Sequence, residues 1–514
     1  MTSPALPDVL VVGAGGSGAP LAARLADRGL SVVVLEAGPA PAPRETRDAA
    51  RLAAAMPGHP LAFSYPGELT RGRPHTVTRG RVSGGSTAIN GAYFRRPRAH
   101  DLDRWAAESG DERWSAANTA AIWPRIENDR EFGGTAGHGS HGPMPVSRAD
   151  LTHPVSAALV AAGLTAGLPL ELDKNSSPDA SPGVGATPTN TRDGERWSTA
   201  RAYLDCEVDP EGAPARLDVR GGHQVVSVML EHGRAVGVRA LVSGRVESFR
   251  AGLVVLSAGA IATPHLLLMS GIGPAATLRD RGLDVVHDSP AVGARLGDHP
   301  NLDLRFTVPE SVHRHRVEIP LGVALHASSG LGAEVAAGDI EVLSFVRPLL
   351  RMLGSDPHDE HLSLLVSTLR HDARGHLALD PLDISAPPHV RFHYAETEAD
   401  RALLRTAARF AGALLTSDAM RELGALPEQA NLTVLDDREL DAWVLAHLST
   451  ALHTCGTTAM GSDPTTSVVD GRGAVHGVRG LHVADVGMLP STPTGGPAAS
   501  AVLIGEVIAD ALTT

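Results

Sequence analysis

Between Val9 and Glu36 the chain writes out a strand, a glycine-rich turn, a helix and a second strand, and few folds accommodate that order. The apolar run Val9-Leu10-Val11-Val12 leads into Gly13-Ala14-Gly15-Gly16-Ser17-Gly18. Residues 19–28 follow, rich in Ala, Leu and Arg, and a second apolar run from Leu30 to Leu35 ends at Glu36. A GxGxxG turn between a buried strand and a helix, with an acid closing the second strand, predicts a βαβ unit that binds a dinucleotide. The glycines let the backbone turn tightly and approach a pyrophosphate, and the helix start offers N–H groups and partial positive charge to it. Glu36 is placed to accept hydrogen bonds from ribose hydroxyls. A glycine-rich turn that binds nothing is the plainer alternative, and the register of strand, helix and acid argues against it.

At 514 residues the chain has room for two domains, or for one large domain carrying an inserted lobe. The formal net charge of −13 argues against nucleic acid as a partner, because phosphate binding needs basic patches. Two cysteines far apart, Cys206 and Cys455, offer no CxxC pair for a structural metal or a redox dithiol. The start of the chain runs directly into the first strand without a basic and then apolar leader, and no apolar run is long enough to span a bilayer. A cytoplasmic protein is expected, with room left for contact at a membrane surface.

Further along, residues 40–75 read as an irregular excursion and 80–97 as a second glycine-rich block. The stretch 99–135 reads as helical, with Trp105, Trp114 and Trp123 as packing anchors. Alternating patterns predict strands at 217–220, 224–230 and 235–242, and a buried strand at 253–256. The stretch 300–430 mixes strands with one long helix at 396–415, suited to a substrate-facing lobe. Segments 437–461, 480–486 and 497–512 read as helix, strand and helix.

Four further blocks carry chemistry. Gly80-Arg81-Val82-Ser83-Gly84-Gly85-Ser86-Thr87-Ala88-Ile89-Asn90 resembles the first signature of the glucose–methanol–choline (GMC) flavin oxidoreductases. Gly259-Ala260-Ile261-Ala262-Thr263-Pro264, running on to Ser270-Gly271-Ile272-Gly273, is similar to their second signature. Val292 to Pro300 is similar to their VGxNLxDHP segment, with Arg295 in place of Asn. The C-terminal block, His453 to Gly461 followed by Val468-Val469-Asp470 and Leu481 to Asp485, resembles HxxGTxxMG…VVD…LRVxDAS.

The resemblance implies an α/β fold, α+β overall, in which a Rossmann-type FAD-binding domain interleaves with a sheet-containing substrate-binding lobe. The first would comprise 1–150, 197–300 and 437–514, and the second 151–196 and 301–436. It implies that FAD lies along Gly13, Gly15, Gly16, Ser17, Gly18, Glu36 and Arg81, then Gly84, Gly85, Ser86, Asn90, Gly91 and Ala92. Val225 matches the residue whose backbone meets adenine. Asp485 and Val486 match those near the ribityl chain, and Ala258, Gly259, Gly496 and Pro497 complete the set. Members that attach FAD covalently often use a His where this chain has Ile89, so the cofactor is expected to be non-covalent.

His453 is the candidate catalytic residue. Oxidising an alcohol by hydride transfer leaves a hydroxyl proton to remove, and imidazole suits that task near neutral pH. The family places a second His or Asn about 43 positions later, and here that position is Gly496. A neighbour such as Thr494 or Ser500 substitutes, a residue of the 300–430 lobe reaches in, or the site works with His453 alone. His447 reads as a surface residue, and Ser86 and Thr87 as backbone supports. The expected activity is FAD-dependent oxidation of a small-molecule alcohol, with oxygen, a quinone or a redox carrier taking the electrons. Lysine-poor composition and Gly496 suggest the branch that oxidises a reduced mycofactocin-type cofactor. A hydroxynitrile lyase that keeps the catalytic His and uses flavin structurally is the alternative.

Overall fold

The apolar run at the start of the chain becomes the middle of a five-stranded sheet whose pairings are all parallel. In this computed structural model, which describes residues 6–176, 182–204, 216–315, 317–331, 338–369, 375–380, 383 and 386–513, the order is 217–220, 32–35, 9–12, 253–256, 481–483. Strands buried on both faces need continuous apolar runs, and Leu10, Val11, Val254, Val255 and Leu256 are sealed from solvent. Helices Gly18–Asp27 and Ala498–Thr513 pack together on this sheet. A three-stranded antiparallel layer, His223–Glu231, Arg234–Val242 and Arg245–Arg250, adjoins it.

The second lobe is built on a seven-stranded antiparallel sheet. Its centre is Pro300–Thr307, Leu362–Thr368, Ile340–Phe345 and Leu321–Ala327. Helix Glu398–Leu415 packs over it, opened by a capping box in which Thr397 and Asp400 satisfy each other's backbone N–H. Each lobe has its own apolar core. A smaller sheet ties distant segments together: the hairpin Ala62–Thr70 and Arg73–Gly80 pairs with His389–Arg391. Among the described residues no helix is long and apolar enough to cross a membrane.

Three readings of the sequence need correction. The excursion at 40–75 contains most of that hairpin, hidden because Pro66, Gly67 and Pro74 break the usual strand pattern while tolerating its pairing. The stretch 99–135 is one helix, Ala99–Ser109, ended by Gly110 in the left-handed region at φ 68°, and then short turns and a strand. Helix 437–461 stops at His447, where Leu448–Thr450 joins the edge of Pro300–Thr307 instead. Trp105, Trp114 and Trp123 are core residues, as read. Cys206 lies outside the described residues.

One buried acid crosses the cofactor-side core. Glu506 in the last helix is 0% exposed and accepts from Arg24 Nε at 2.9 Å, Arg125 Nε at 2.9 Å and Tyr203 Oη at 3.0 Å. It joins the first helix, the 123–126 turn and the 199–203 helix. Replacing one partner of a buried ion pair costs about 3–5 kcal/mol, and because both arginines reach solvent the lower end applies. Glu506→Ala is therefore expected to lower unfolding stability by about 3 kcal/mol. Urea denaturation checks this, and a midpoint equal to the parent's would contradict the bridging role.

Candidate active site

The glycine-rich turn and the second glycine block meet backbone to backbone. Gly13 has φ 100°, and a Cβ there would stand 2.6 Å from the Ser257 carbonyl oxygen. A Cβ on Gly85, at φ 53°, would stand 2.9 Å from Gly15 Cα, and the Gly84 N–H donates to Ala14 O at 2.7 Å. Gly16 faces Ala501 of the last helix, and Gly18 lies too close to Gly13 O for any side chain. The result is a cradle of bare backbone at the start of the first helix. Ser17 Oγ and Arg81 Nε are both buried there without a hydrogen-bond partner. Glu36 accepts from the N–H of Ala14 at 3.0 Å and of Gly38 at 2.8 Å. Burial pushes its carboxyl up, while those N–H groups and the Arg81 charge pull it back. The His223 N–H donates to Glu36 O at 2.8 Å, which brings the strand of Val225 alongside. A buried acceptor at the end of the second strand, orphaned donors and a bare-backbone turn are what a dinucleotide needs, so the residues fit FAD.

The remaining cofactor-side residues gather around Asp485. Its carboxylate accepts from Gly259 N at 2.9 Å, Thr263 Oγ1 at 2.6 Å and Gly487 N at 2.8 Å, fastening the Ala258–Gly259 turn to the Val486 segment. Ser86 Oγ accepts from Gly80 N at 3.2 Å, and Thr87 Oγ1 donates to Gly84 O at 2.6 Å, so both support the turn. Asn90 Oδ1 accepts from Ala92 N at 3.0 Å, and Ala92 sits at φ 61°, an uncommon conformation for a residue with a side chain. Gly91 leaves space that ends at Phe345 Cζ, 4.0 Å from where its Cβ would be. Ile89 is buried against Leu61, Val82 and Ala88.

His453 is held by a buried carboxylate, Asp298, from the segment just before strand Pro300–Thr307. Asp298 accepts from the N–H of His453 at 2.8 Å and of His299 at 2.7 Å, and from Thr454 Oγ1 at 2.7 Å. Arg79 Nη2 donates to the same Thr454 hydroxyl at 2.6 Å. Leu452, just before the histidine, is at φ 61°. His453 Nδ1 lies 2.9 Å from His299 Nδ1, with the rings at 86°. Its other nitrogen, Nε2, is 3.5 Å from the point a Gly496 Cβ would occupy. Desolvation, and then the Arg79 charge, push the imidazole down to about 3, so it is neutral at neutral pH. One of the two facing Nδ1 atoms carries the hydrogen. For Nε2 of His453 to accept a proton, its Nδ1 must be the donor and His299 the acceptor.

The structure brings Gly496 to the His453 imidazole, and glycine puts no polar side chain at that position. The Tyr93 ring fills that side, with Cδ1 3.1 Å from the Gly496 Cβ point. Tyr93 Oη donates to Glu341 Oε2 at 2.8 Å, and Glu341 also meets His326 Nε2 at 2.9 Å. Thr494 is spent on Asp101, which accepts from its hydroxyl at 2.8 Å. Ser500 is buried just inside the last helix, which begins after Pro497. His447 is at the surface, stacked on Trp443 at 4.2 Å. Tyr93, Arg79 and Glu341 escaped the sequence reading because their roles depend on contacts between lobes. Asp298 and His299 lie inside the segment matched to VGxNLxDHP, where they fill its DH positions, but no role was read for them there.

Two sequence models of the GMC oxidoreductase family match the chain, the N-terminal one over residues 8–301 and the C-terminal one over 371–505. The chain belongs to the GMC oxidoreductases. An uncharacterized GMC-type oxidoreductase of the thcA 5′ region of Rhodococcus erythropolis is 35% identical over 98% of both chains. An oxygen-dependent choline dehydrogenase of Klebsiella pneumoniae is 33% identical over 98% of this chain and 95% of its own. Pyridoxine 4-oxidase from Mesorbium loti superposes with a TM-score of 0.86 at 27% identity, covering 98% of each chain. The fold is also that of formate oxidase from Aspergillus oryzae, with a TM-score of 0.88 at 22% identity over 100% and 99%. As a GMC oxidoreductase the protein is an FAD-dependent flavoenzyme acting on CH–OH donors.

Within this GMC site His299 should set the tautomer of His453. His299→Leu removes the acceptor while keeping an apolar volume. It is expected to retain FAD and to slow anaerobic flavin reduction by roughly 10²-fold, at the low end of the loss expected for a missing base. Parent-like reduction in the folded, yellow variant would contradict the assignment.

Proposed function

We propose that this GMC oxidoreductase oxidises a small-molecule alcohol to a carbonyl compound, with His453 as the base. The observation that carries the reading is the pair of contacts at His453: Nδ1 occupied by His299, and Nε2 turned to the space beside Gly496. His453 takes the hydroxyl proton at Nε2, and His299 keeps the ring in the form that can accept it. Asp298 fixes the backbone of both histidines. The Tyr93 ring bounds the side left bare by Gly496, so one base serves without a second polar partner at that position.

FAD would be held without a covalent bond. Ile89 offers no nucleophilic atom where attachment would be expected. Gly13, Gly15, Gly16, Ser17, Gly18, Gly84 and Gly85 would lie along the pyrophosphate, and Glu36 and Arg81 near the ribose. Val225 would back the adenine, and Ser86, Asn90, Gly91 and Ala92 would follow the chain toward the ring. Ala258, Gly259, Asp485, Val486, Gly496 and Pro497 would close the far end. When bound, FAD supplies the acceptor for the hydrogen and electron pair leaving the carbinol carbon. Oxygen, a quinone or a redox carrier takes the electrons onward.

The dehydrogenase and oxidase names carried by the relatives support redox chemistry over a lyase reaction. Holoenzyme precipitated with acid is expected to release yellow FAD to the supernatant, and intact holoenzyme to bleach anaerobically with an alcohol such as benzyl alcohol. Flavin kept in the pellet would contradict non-covalent binding. A panel of alcohols that leaves the flavin fully oxidised would contradict the oxidation.

A further inference from the structure

Of the chain's 45 lysines and arginines, only Lys174 is a lysine. Its side chain is sealed from solvent. The ammonium donates to Glu171 Oε2, to Gly183 O at 3.0 Å and to His326 Nδ1 at 3.1 Å. Three acceptors around one nitrogen suit the three hydrogens of an ammonium and not a planar guanidinium. Burial pushes the group down to about 8 and the Glu171 charge opposes this, so it is charged at neutral pH.

From Lys174 a buried chain of hydrogen bonds runs to the wall of the site. Burial, and then the Arg95 charge, keep His326 neutral. Its Nδ1 faces the ammonium, so Nδ1 is the acceptor and Nε2 carries the hydrogen. Nε2 therefore donates to Glu341 Oε2 at 2.9 Å, across a register pair of neighbouring strands. The same oxygen accepts from Tyr93 Oη at 2.8 Å. His326 and Glu341 are buried, and with no water to stand in for a partner each bond fixes the direction of the next.

The Tyr93 ring stands where a side chain at 496 would begin. Its Cδ1 is 3.1 Å and its Cε1 3.5 Å from the Gly496 Cβ point, and His453 Nε2 is 3.5 Å from that same point. A carbon placed there would touch ring and imidazole together, and its gap to Cδ1 is shorter than ordinary carbon contact of about 3.5–4.0 Å. The ring is packed with Leu52, Leu321, Phe345 and Met352, a cluster apart from the two lobe cores. Packing holds the ring's faces, and the bond to Glu341 holds its far end.

Resting on the alcohol-oxidation reading, we propose that the substrate is a primary alcohol, that the Tyr93 ring excludes a second carbon on the carbinol, and that Lys174, through His326 and Glu341, holds that ring in place. An alcohol whose oxygen meets His453 Nε2 brings its carbinol carbon one bond away. On the Gly496 side that carbon has room for a hydrogen and meets the ring if it bears a methyl group instead. Tyr93 determines specificity, and Lys174, His326 and Glu341 are positioning residues that act through it.

Selectivity can be read without turnover. Oxidised holoenzyme is titrated with trifluoroethanol and with trifluoroisopropanol, a primary and a secondary alcohol whose fluorines oppose hydride loss, following the flavin absorbance. The parent is expected to bind the primary probe about 10-fold or more tightly than the secondary one, the usual worth of one methyl group in a closed pocket. Tyr93→Ala is expected to bring the two affinities together. Tyr93→Phe keeps the ring and loses its tether, and Lys174→Met loses the start of the chain. Each is expected to cut the ratio by about 5-fold, the worth of one hydrogen bond, and the double variant to cut it no further. A merely structural lysine would lower stability without touching the ratio, or would add to Tyr93→Phe. Equal affinities in the parent, binding of neither probe, or a parent-like ratio in FAD-loaded Tyr93→Ala overturns the proposal. A parent-like ratio in Tyr93→Phe, or additive losses in the double variant, overturns the part given to Lys174. Tyr93-dependent selectivity in an enzyme that no alcohol bleaches would uphold the wall and reject the oxidation.

Discussion

The loop that carries His453 hangs on the Asp298 carboxylate. This fully buried group accepts the backbone N–H of both facing histidines and the hydroxyl of Thr454, and reaches Thr450 Oγ1 at 3.2 Å. Those partners come from the segment just before strand Pro300–Thr307 and from residues 450–454 at the opening of the C-terminal block. Arg79, from the hairpin that joins the lobes, adds its charge through Thr454. Burial pushes the Asp298 carboxyl up, and Arg79 and the donated hydrogen bonds oppose this. A buried acid so surrounded is weak evidence for stability and good evidence for fixed geometry, because losing either the acid or its donors leaves the others unpaired.

The chemistry follows from that geometry. The backbone of His453 is pinned, its Nδ1 is committed to His299, and only Nε2 is left to meet a substrate. Its depressed pKa keeps it unprotonated at neutral pH, the form a base needs. Gly496 and Tyr93 form a coupled pair at the opposite wall. The ring lies so close that any larger residue at 496 must displace it.

Much of the cofactor side was legible in the sequence because its demands are local. Gly13 to Gly18 must be glycine-rich for backbone to pass backbone, and Glu36 must follow the second strand, so spacing alone placed them. Counting along a matched block singled out Gly496, which the structure sets beside His453. The second lobe was legible as strands, but not how they pair. The hairpin at 62–80 was hidden by Pro66 and Pro74, and the strand at 448–450 by the helical pattern running into it. The Arg79–Asp298 link and the Tyr93–Gly496 contact are set by residues hundreds of positions apart. No window of sequence displays them.

The central claim is that His453 Nε2 removes the substrate proton in an otherwise intact flavin site. Anaerobic stopped-flow reduction of the parent and of His453→Ala, with one alcohol that bleaches the parent, tests it most directly when repeated from pH 5 to pH 8. The account expects the variant to keep its FAD and to be slowed by about 10²–10⁴-fold. It also expects the parent's rate to show no step near the ordinary histidine value of about 6.5, since the imidazole is already neutral across that range. Parent-like reduction by FAD-loaded His453→Ala would place the base elsewhere and contradict the account.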